Sequence, residues 1–248
     1  MSSANPGHGD AAWIHRPSSA PVARVSASAI AHNAALALAR LTEGTRAIAD
    51  LRADAWGHGA PAVAAELLAA GVDRLVVDDA PAVRVLAAAG VAGATTSAAP
   101  DLDPTTLYGL PGGAPDAVPA MRLSGTVLSV KALRAGEGVS YGYRFRAAAD
   151  TRVALVTGGY AQGVVRDLGN RARVTIGGAS LPIVGRVAMD VCVVDVGDAP
   201  VRRGDEVVFF GDPRAGEPSI ADWVEATGLR ADELVTVVGL RATREQVA

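Results

Sequence analysis

The sequence predicts an α/β segment followed by a β domain, and three observations support this fold class. Short apolar strands alternate with helical patterns as far as about Gly90, which is the repetition of a parallel sheet or barrel. A connector rich in glycine, proline and threonine follows. From Met121 onward, strand patterns are separated by glycine-rich turns, which predicts a mostly antiparallel β domain.

The α/β segment alternates strands with helices that carry end signals. The strand VARVSA leads into a helix that we expect Ser28 to open, and AIADL precedes the helix APAVAAELLAAG, which Gly71 ends as a C-cap. The strand DRLVVDD then precedes the helix PAVRVLAAAG, with Pro81 in its first turn and Gly90 after its end.

The β domain is predicted from a series of apolar strand patterns. These are MRLSGTVLSVKAL, TRVALVTGG, ARVTIGG, LPIVGRVAMDVCVVDV and DEVVFFG. One late helix, IADWVEATG, begins after Ser219. We therefore predict a disordered polar leader at residues 1–19, an α/β domain at 20–110 and a β domain at 111–248.

Size limits the first half. A complete eight-stranded βα barrel takes about 250 residues, and each βα unit about 30, so only about two or three units fit before Tyr108. A barrel that begins here cannot close. We expect it to leave strand edges and an apolar inner face that something else covers, such as an oligomeric contact.

Composition excludes several classes of function. The net charge of −3 mixes both signs without a basic block, which argues against nucleic acid or an anionic membrane as partner. No run of about 20 apolar residues predicts a membrane-spanning helix, and the N-terminus lacks the pattern of a secretory signal. Cys192 is the single cysteine, which fits a reducing cytoplasm. We expect a soluble protein with small ligands and assign no metal ligands.

Several motifs, taken in order, resemble those of the alanine racemase family. They are AIADLRADAWGHG, which resembles the family signature AVVKADAYGHG; VSYG at 139–142; GYAQG, where the family has GYADG; PIVGRVAMD at 182–190; and a GDEVVFFG segment. The resemblance implies an incomplete (β/α) barrel-type N-terminal domain, a β C-terminal domain and a head-to-tail dimer in which each β domain completes the partner's site. It also implies pyridoxal phosphate as cofactor and the interconversion of L-alanine and D-alanine, which supplies D-alanine for the cell wall.

The catalytic pair implied by the resemblance maps onto Arg52 and Tyr160. In the family, a lysine at the first position is both the covalent link to the cofactor and one of two bases, and the tyrosine of GYADG is the second base. Arginine stays charged and its nitrogen lone pairs are delocalised, so it forms no imine and is no ready base. We therefore do not expect covalent attachment of the cofactor. The single lysine, Lys131, lies in a strand pattern of the β domain, and we expect it to be a surface residue.

The resemblance also implies binding residues. Ser97 and Trp56 correspond to phosphate-binding positions, although Ser97 has the alternative of an ordinary loop serine and the indole is bulkier than the family's tyrosine. Tyr108 matches the end of the family segment RPGIALYGL, and Met189 and Asp190 match the substrate-binding motif. For Met189 and Asp190, simple β packing is an equal alternative.

Some family groups have no counterpart. DLDPTT replaces the start of RPGIALYGL, so the arginine that would bond the pyridine nitrogen is missing, as are the middle barrel strands with their carboxylate-binding arginine. His58, in the GHG motif, is more often structural than catalytic.

These observations predict an alanine racemase family protein that is catalytically impaired. The alternative is a non-catalytic partner or modulator of a full-length racemase subunit, in a homodimer or heterodimer. A decayed remnant without a selected role, or a chain from which an internal segment has been deleted, is the third possibility.

Overall fold

The computed structural model describes residues 20–140, 142 and 144–248, so the predicted leader at 1–19 lies outside the described residues. The helices are α1 (Ala27–Leu38), α2 (Arg52–Trp56), α3 (Ala60–Ala69), α4 (Ala80–Ala88), α5 (Pro104–Leu107), α6 (Ile220–Thr227) and α7 (Ala231–Arg241). The strands are β1 (Val22–Ser26), β2 (Ile48–Asp50), β3 (Arg74–Val76), β4 (Ala94–Thr95), β5 (Met121–Leu133), β6 (Gly138–Val139), β7 (Phe145–Arg146), β8 (Thr151–Thr157), β9 (Arg173–Ile176), β10 (Ala179–Val184), β11 (Val191–Asp195), β12 (Glu206–Phe210) and β13 (Thr243–Val247).

The α/β half contains a three-stranded parallel sheet in the order β2-β3-β4, which confirms the predicted βα repetition. Helix α3 connects β2 to β3, and α4 connects β3 to β4. The predicted end signals hold: Gly71 and Gly90 have φ of +100° and +79°, and Pro81 lies in the first turn of α4 after the N-cap Asp79. Glycine adopts this left-handed conformation without the steric cost that other residues meet.

The outer edge of β2 is covered by the chain itself. The backbone N–H groups of Asp101 and Leu102 donate to the carbonyl of Ile48 at 3.0 and 3.1 Å. Leu102, Leu107 and Tyr108 are fully buried members of the same core cluster as β2 and β3. We expected something outside the βα units to cover the open edges, and at this edge the cover is the connector after β4, which folds back alongside β2.

Strand β1 does not join the parallel sheet, contrary to our placement of it at the start of the βα repetition. It pairs antiparallel with β5 and parallel with β13. Its alternating burial, with Ala23 and Val25 inside, fits a strand with one covered face, whereas strands of a parallel sheet are buried on both. The helix start was also misplaced: Ser26 caps α1, its Oγ accepting from the Ala29 N–H at 3.1 Å, and Ser28 is exposed.

The β half is a closed ring of strands. The order β12-β9-β10-β11-β8-β5 is completed by pairing of β12 with β5, and the neighbouring strands within the ring are antiparallel. This confirms the predicted mostly antiparallel domain. LPIVGRVAMDVCVVDV, predicted as one strand pattern, forms β10 and β11, because the chain turns at Gly185 with φ of +73°. Helix α7 and strand β13 were not predicted.

One hydrophobic core runs through both halves of the chain. It includes residues of α1, β2 and α3 together with residues of the β ring and α7. Within this core, Trp223 of α6 makes edge-on contacts to Phe209 and Phe210 of β12 at ring-centroid distances of 6.5 and 5.1 Å. The division into domains at residue 110 stays a prediction. Lys131 is exposed in β5, as predicted, and within the described residues no helix is long and apolar enough to cross a bilayer.

Candidate active site

The element α2, just before the GHG motif, is a turn of left-handed backbone and not a regular α-helix. Ala53, Asp54, Ala55 and Trp56 have φ of 50°, 56°, 55° and 51°, although none is a glycine. Each such residue costs roughly 1–2 kcal/mol relative to the right-handed conformation. Consecutive strained residues persist only where the surrounding structure holds them, and they concentrate at functional sites. The contacts around this turn therefore identify the parts of the chain that build the site.

Carboxylates hold the turn from both sides. Oδ2 of Asp78, just after β3, accepts from the Ala53 N–H at 2.7 Å. Oδ1 of Asp54 accepts from the Ala60 N–H at 2.7 Å and so caps the start of α3. The other Asp54 oxygen forms an ion pair with Nη1 of Arg244 in β13 at 2.7 Å. The turn is thereby tied to the parallel sheet and to the C-terminal strand.

Two side chains of strand β13 form hydrogen bonds with the backbone at the end of this turn. Arg244 donates to the Gly57 carbonyl at 3.0 Å, and Gln246 donates to the His58 carbonyl at 2.9 Å. Helix α7 approaches so closely that a Cβ on Gly239 would overlap the Gly57 carbonyl oxygen. The geometry of the turn thus depends on residues almost two hundred positions away in sequence, in elements that sequence reasoning missed.

Arg52 forms a bidentate ion pair with Asp50 at the carboxyl end of β2. Nε and Nη2 of Arg52 donate to the two carboxylate oxygens at 2.8 and 2.6 Å, and the Arg52 backbone N–H donates at 3.0 Å. The Asp50 side chain is 5% exposed, whereas that of Arg52 is 51% exposed. Two parallel charge-assisted hydrogen bonds are the strongest pairing that arginine makes with a carboxylate. The guanidinium is therefore fixed in orientation.

The pairing shifts the titration of both groups. Burial alone would raise the pKa of Asp50, but the hydrogen bonds from the Arg52 side chain and backbone outweigh it, and the pKa lies below its ordinary value. The hydrogen bond to Asp50 raises the pKa of Arg52 above its already high ordinary value. Both partners are ionised at neutral pH.

Arg52 opens onto a cleft of about 780 Å³ between α2 and α7. Its lining residues are Asp50, Arg52, Ala53, Trp56, Val165, Leu229, Arg230, Asp232, Glu233, Leu234, Thr236 and Val237. The second arginine of the cleft also pairs with a carboxylate, since Arg230 donates to both Asp232 oxygens at 2.9 and 2.7 Å. The cleft therefore combines an apolar wall with carboxylates and with arginines that are already paired.

An aromatic stack lies beneath the ion pair. Tyr108 is buried, its hydroxyl donates to the Asp50 carbonyl at 2.8 Å, and its ring stacks on His58 at 4.5 Å and lies 5.5 Å from that of Trp56. Burial raises the pKa of Tyr108 well above its usual value. Trp56 lines the cleft, whereas Tyr108 supports its floor, so a cofactor contact by Tyr108 stays a prediction.

His58 is buried in the neutral form. Its Nδ1 lies 2.9 Å from the Ala55 carbonyl and 3.0 Å from the Trp56 carbonyl, so Nδ1 carries the proton. Nε2 is buried without a hydrogen-bond partner among the described residues. Burial lowers the pKa of His58 to about 4. These contacts favour the structural interpretation of this histidine.

Ser97 follows β4 at the same sheet edge at which Arg52 follows β2, because the carboxyl ends of parallel strands meet at one edge. The serine is exposed, and its Oγ lies 3.4 Å from Oγ1 of Thr95. Ser97 and Arg52 thus share an edge of the sheet. A phosphate contact by Ser97 stays a prediction.

Tyr160, Met189 and Asp190 lie together in the β domain. The Tyr160 N–H donates to the Ala188 carbonyl and the Ala161 N–H to the Met189 carbonyl, both at 2.9 Å. Gln162 bridges the loop: its Oε1 accepts from the Gly159 N–H at 3.0 Å and its Nε2 donates to Asp190 at 2.7 Å. Met189 is 54% exposed beside this loop.

The surroundings of Tyr160 are basic. The Arg166 guanidinium carbon lies 4.1 Å from the centroid of the Tyr160 ring, a cation–π distance. Arg166 also lines a cleft of about 460 Å³ with Arg144, Arg171 and Arg186. Among the described residues no hydrogen bond, ion pair or ring contact joins Tyr160 to Arg52, and Tyr160 does not line the Arg52 cleft. The two predicted parts of the site, which we call the Arg52 half-site and the Tyr160 half-site, are therefore separate within one chain.

Sequence reasoning missed Asp50 and Asp232. A signal existed for Asp50, since a carboxylate replaces the first valine of the signature AVVKADAYGHG two positions before Arg52, on the same side of the strand. No signal existed for Asp232, because helix α7 itself was not predicted.

Comparisons with known proteins agree with the motifs. The family description "Alanine racemase, C-terminal domain" matches residues 120–246, and "Alanine racemase, N-terminal domain" matches residues 25–135. The alanine racemase of Mycobacterium leprae is 47% identical over 129 residues, which are 51% of this chain and 33% of that protein. The chain thus matches about a third of the length of this curated relative.

Two solved structures share the fold. The alanine racemase of D-cycloserine-producing Streptomyces lavendulae superposes with a TM-score of 0.83 at 21% identity, covering 94% of this chain and 98% of that one. The alanine racemase of Bartonella henselae, solved with covalently bound pyridoxal phosphate, superposes with a TM-score of 0.74 at 18% identity, covering 92% and 99%. Likeness at these identities describes the fold alone.

Proposed function

This chain belongs to the alanine racemase family, and from that premise we propose that it is a catalytically impaired member that does not racemise alanine on its own. The observation that carries the proposal is the bidentate ion pair between Arg52 and buried Asp50. It occupies the position that the family resemblance assigns to the lysine that links the cofactor and moves the α-proton.

The chemistry of the pair supports impairment in two ways. A guanidinium remains protonated across the physiological range and has no free lone pair with which to attack an aldehyde. Asp50 strengthens this, since it raises the pKa of Arg52 further and holds two of its nitrogens. Arg52 can neither bind pyridoxal phosphate covalently nor accept a proton from a substrate carbon.

The remaining residues of the cleft also do not fit the phosphate of that cofactor. Of the charged side chains lining the cleft, Asp50, Asp232 and Glu233 are acidic, and Arg52 and Arg230 each already pair with one of these carboxylates. A phosphate would meet no uncommitted cation among these lining residues. Family resemblance and cleft chemistry therefore disagree about cofactor binding.

The test uses the purified full chain and a full-length alanine racemase as positive control. We expect no racemisation of either alanine enantiomer, and no borohydride-stable pyridoxal phosphate adduct at residue 52 by peptide mass mapping. Turnover near the usual enzymatic range of about 1–10³ s⁻¹ would overturn the proposal.

A second candidate function is that of a non-catalytic partner that supplies its β domain to a full-length racemase subunit. The Tyr160 loop favours it, because Tyr160 is held beside Met189 and Asp190 while the Arg52 half-site is changed. When this chain is mixed with a full-length racemase, we expect a complex of higher mass in solution and a change in the turnover of that racemase. Tyr160→Phe in this chain should alter the size of the turnover change but not the association of the two proteins. Unaltered mass and turnover would exclude this role.

Homodimer or heterodimer formation, a cytoplasmic location and alanine as the ligand remain parts of the proposal. They derive from the family resemblance.

A further inference from the structure

Asp50 is the residue around which the Arg52 half-site is organised. Its carboxylate is almost fully buried and accepts three hydrogen bonds from Arg52, and the Trp56 side chain also hydrogen-bonds to it. The family signature carries valine here, so an apolar side chain suits the end of this strand. The acid and the arginine thus replace a valine and a lysine as a pair.

A buried carboxylate requires a cation. Taking an unpaired carboxylate out of water is costly, and removing one partner of a buried ion pair leaves the other uncompensated. Positions 50 and 52 lie on one side of the strand end, since side chains alternate along a strand. Any long cationic side chain at position 52 therefore has Asp50 within reach.

We propose that Asp50 is a positioning residue that retains whatever cation stands at position 52, so that lysine introduced there alone stays bound as an ammonium and unreactive. A reactive amine appears at this position only when Asp50 is replaced as well. This inference rests on the proposed function and deepens it, because it assigns the misfit with the cofactor to two residues rather than one.

Other charged groups around position 52 are weaker competitors. Asp78, after β3, is exposed and accepts from the Ala53 backbone, and Asp54 pairs with Arg244. On α7, Asp232 pairs with Arg230, and Glu233 accepts from the Arg230 backbone. Beneath the pair, Tyr108 donates to the Asp50 carbonyl. Among these described groups, Asp50 alone makes hydrogen bonds to the Arg52 guanidinium.

The experiment measures reaction of position 52 with pyridoxal phosphate as an aldehyde probe. All variants carry Lys131→Arg, which removes the only native lysine. The compared proteins are Arg52→Lys, Arg52→Lys with Asp50→Val, Arg52→Lys with Asp50→Asn, and the control Arg52→Lys with Asp78→Asn. The control removes a nearby negative charge but keeps an acceptor for the Ala53 N–H. Borohydride fixes the adduct, which is quantified at residue 52 by peptide mapping between pH 7 and 10.

An opposite charge within hydrogen-bond distance raises a lysine pKa by about 1–3 units, so the neutral amine becomes about 10- to 1,000-fold scarcer. We expect Arg52→Lys and the Asp78 control to react at least about 10-fold more slowly at pH 7.5 than both Asp50 variants. The difference should shrink as pH rises. This pH profile separates a charge effect from a merely structural one, and Asp50→Asn keeps the side-chain shape if Asp50→Val folds poorly.

Equal reaction of Arg52→Lys with and without Asp50 would overturn the inference, as would failure of both Asp50 variants to react. Neither result touches the proposed function, which concerns the natural chain. Conversely, racemisation by the natural chain would overturn the proposed function whatever the variants show.

Discussion

The two half-sites are held in different ways. The Arg52 turn has left-handed backbone at non-glycine residues and is fixed by Asp78, by Arg244 and by the close approach of α7. The Tyr160 loop is fixed by its neighbours Ala188, Met189 and Asp190 and by its own Gln162. Both half-sites approach helix α7, since a Cβ on Gly163 of the Tyr160 loop would lie 2.7 Å from Val238 Cα. They differ because only the Arg52 turn combines left-handed backbone at non-glycine residues with an ion pair to β13.

This difference teaches where change is tolerated. The Arg52 region shares a core with α7 and is tied to β13 by the ion pair between Asp54 and Arg244, so a substitution that moves those elements distorts the turn. In the Tyr160 loop, the contact between Gln162 and Asp190 is exposed, so it can change without disturbing the core. The predictions below test this contrast in order of expected effect.

The largest effect is expected from Gly239→Ala in α7. The added Cβ would overlap the Gly57 carbonyl oxygen, and backbone on both sides leaves no flexible side chain to yield. We expect a loss of about 3 kcal/mol or more in the free energy of unfolding, at the upper end for overpacking. Urea denaturation measures it.

Gly71→Ala is the matched control. A Cβ at Gly71 meets nothing within 4 Å, and φ is +100°, so only the conformational cost of about 1–2 kcal/mol applies. If Gly239→Ala costs no more than this control, helix α7 does not clamp the turn and the contrast between the half-sites fails.

An element could be predicted from the sequence where local signals determine it, and it was missed where contacts with distant residues determine it. Helices α3 and α4 were predicted because apolar periodicity and end signals such as Gly71 and Pro81 agree. Helix α7 was missed because ADELVTVVGLR contains Gly239 and several β-branched residues, which lower helix propensity. Tertiary packing against the turn overrides that propensity.

The sequence predicted individual residues of the candidate site but not the contacts that arrange them. Arg52 and Tyr160 were found by motif, and the structure places them in separate half-sites. The left-handed turn has no sequence signal beyond Asp54 and the flanking glycines, because its backbone is dictated by contacts from β13 and α7. The ion pair between Arg52 and Asp50 could be recognised only from the positions of the two side chains in the structure.

The second prediction concerns pH and the buried histidine under the turn. The pKa of His58 is lowered to about 4 in the folded chain from an ordinary value of 6.5, so between these values the unfolded chain binds the extra proton. The contribution of His58 to stability is therefore complete above pH 6.5 and is lost as pH falls toward 4. Linkage gives about 1.4 kcal/mol per pH unit, or about 2–3 kcal/mol over the window.

Urea denaturation of the natural chain and of His58→Gln at several pH values between 7 and 5 measures this contribution. The variant starts from a lower stability, since it loses the stack on Tyr108, but its stability should fall less steeply with acid. Parallel curves for the two proteins would show that His58 does not carry the pH dependence.

The smallest effect is expected in the Tyr160 loop, from Gln162→Glu. The change keeps an acceptor for the Gly159 N–H but replaces the donor to Asp190 with a second carboxylate. Because the contact is exposed, we expect a loss of only about 0.5–1 kcal/mol in the free energy of unfolding. Adding Asp190→Asn should recover most of the loss, since the asparagine amide can then donate to Glu. A loss as large as that of Gly239→Ala would contradict this expectation, because this exposed contact would then contribute as much to stability as a close contact between buried backbones.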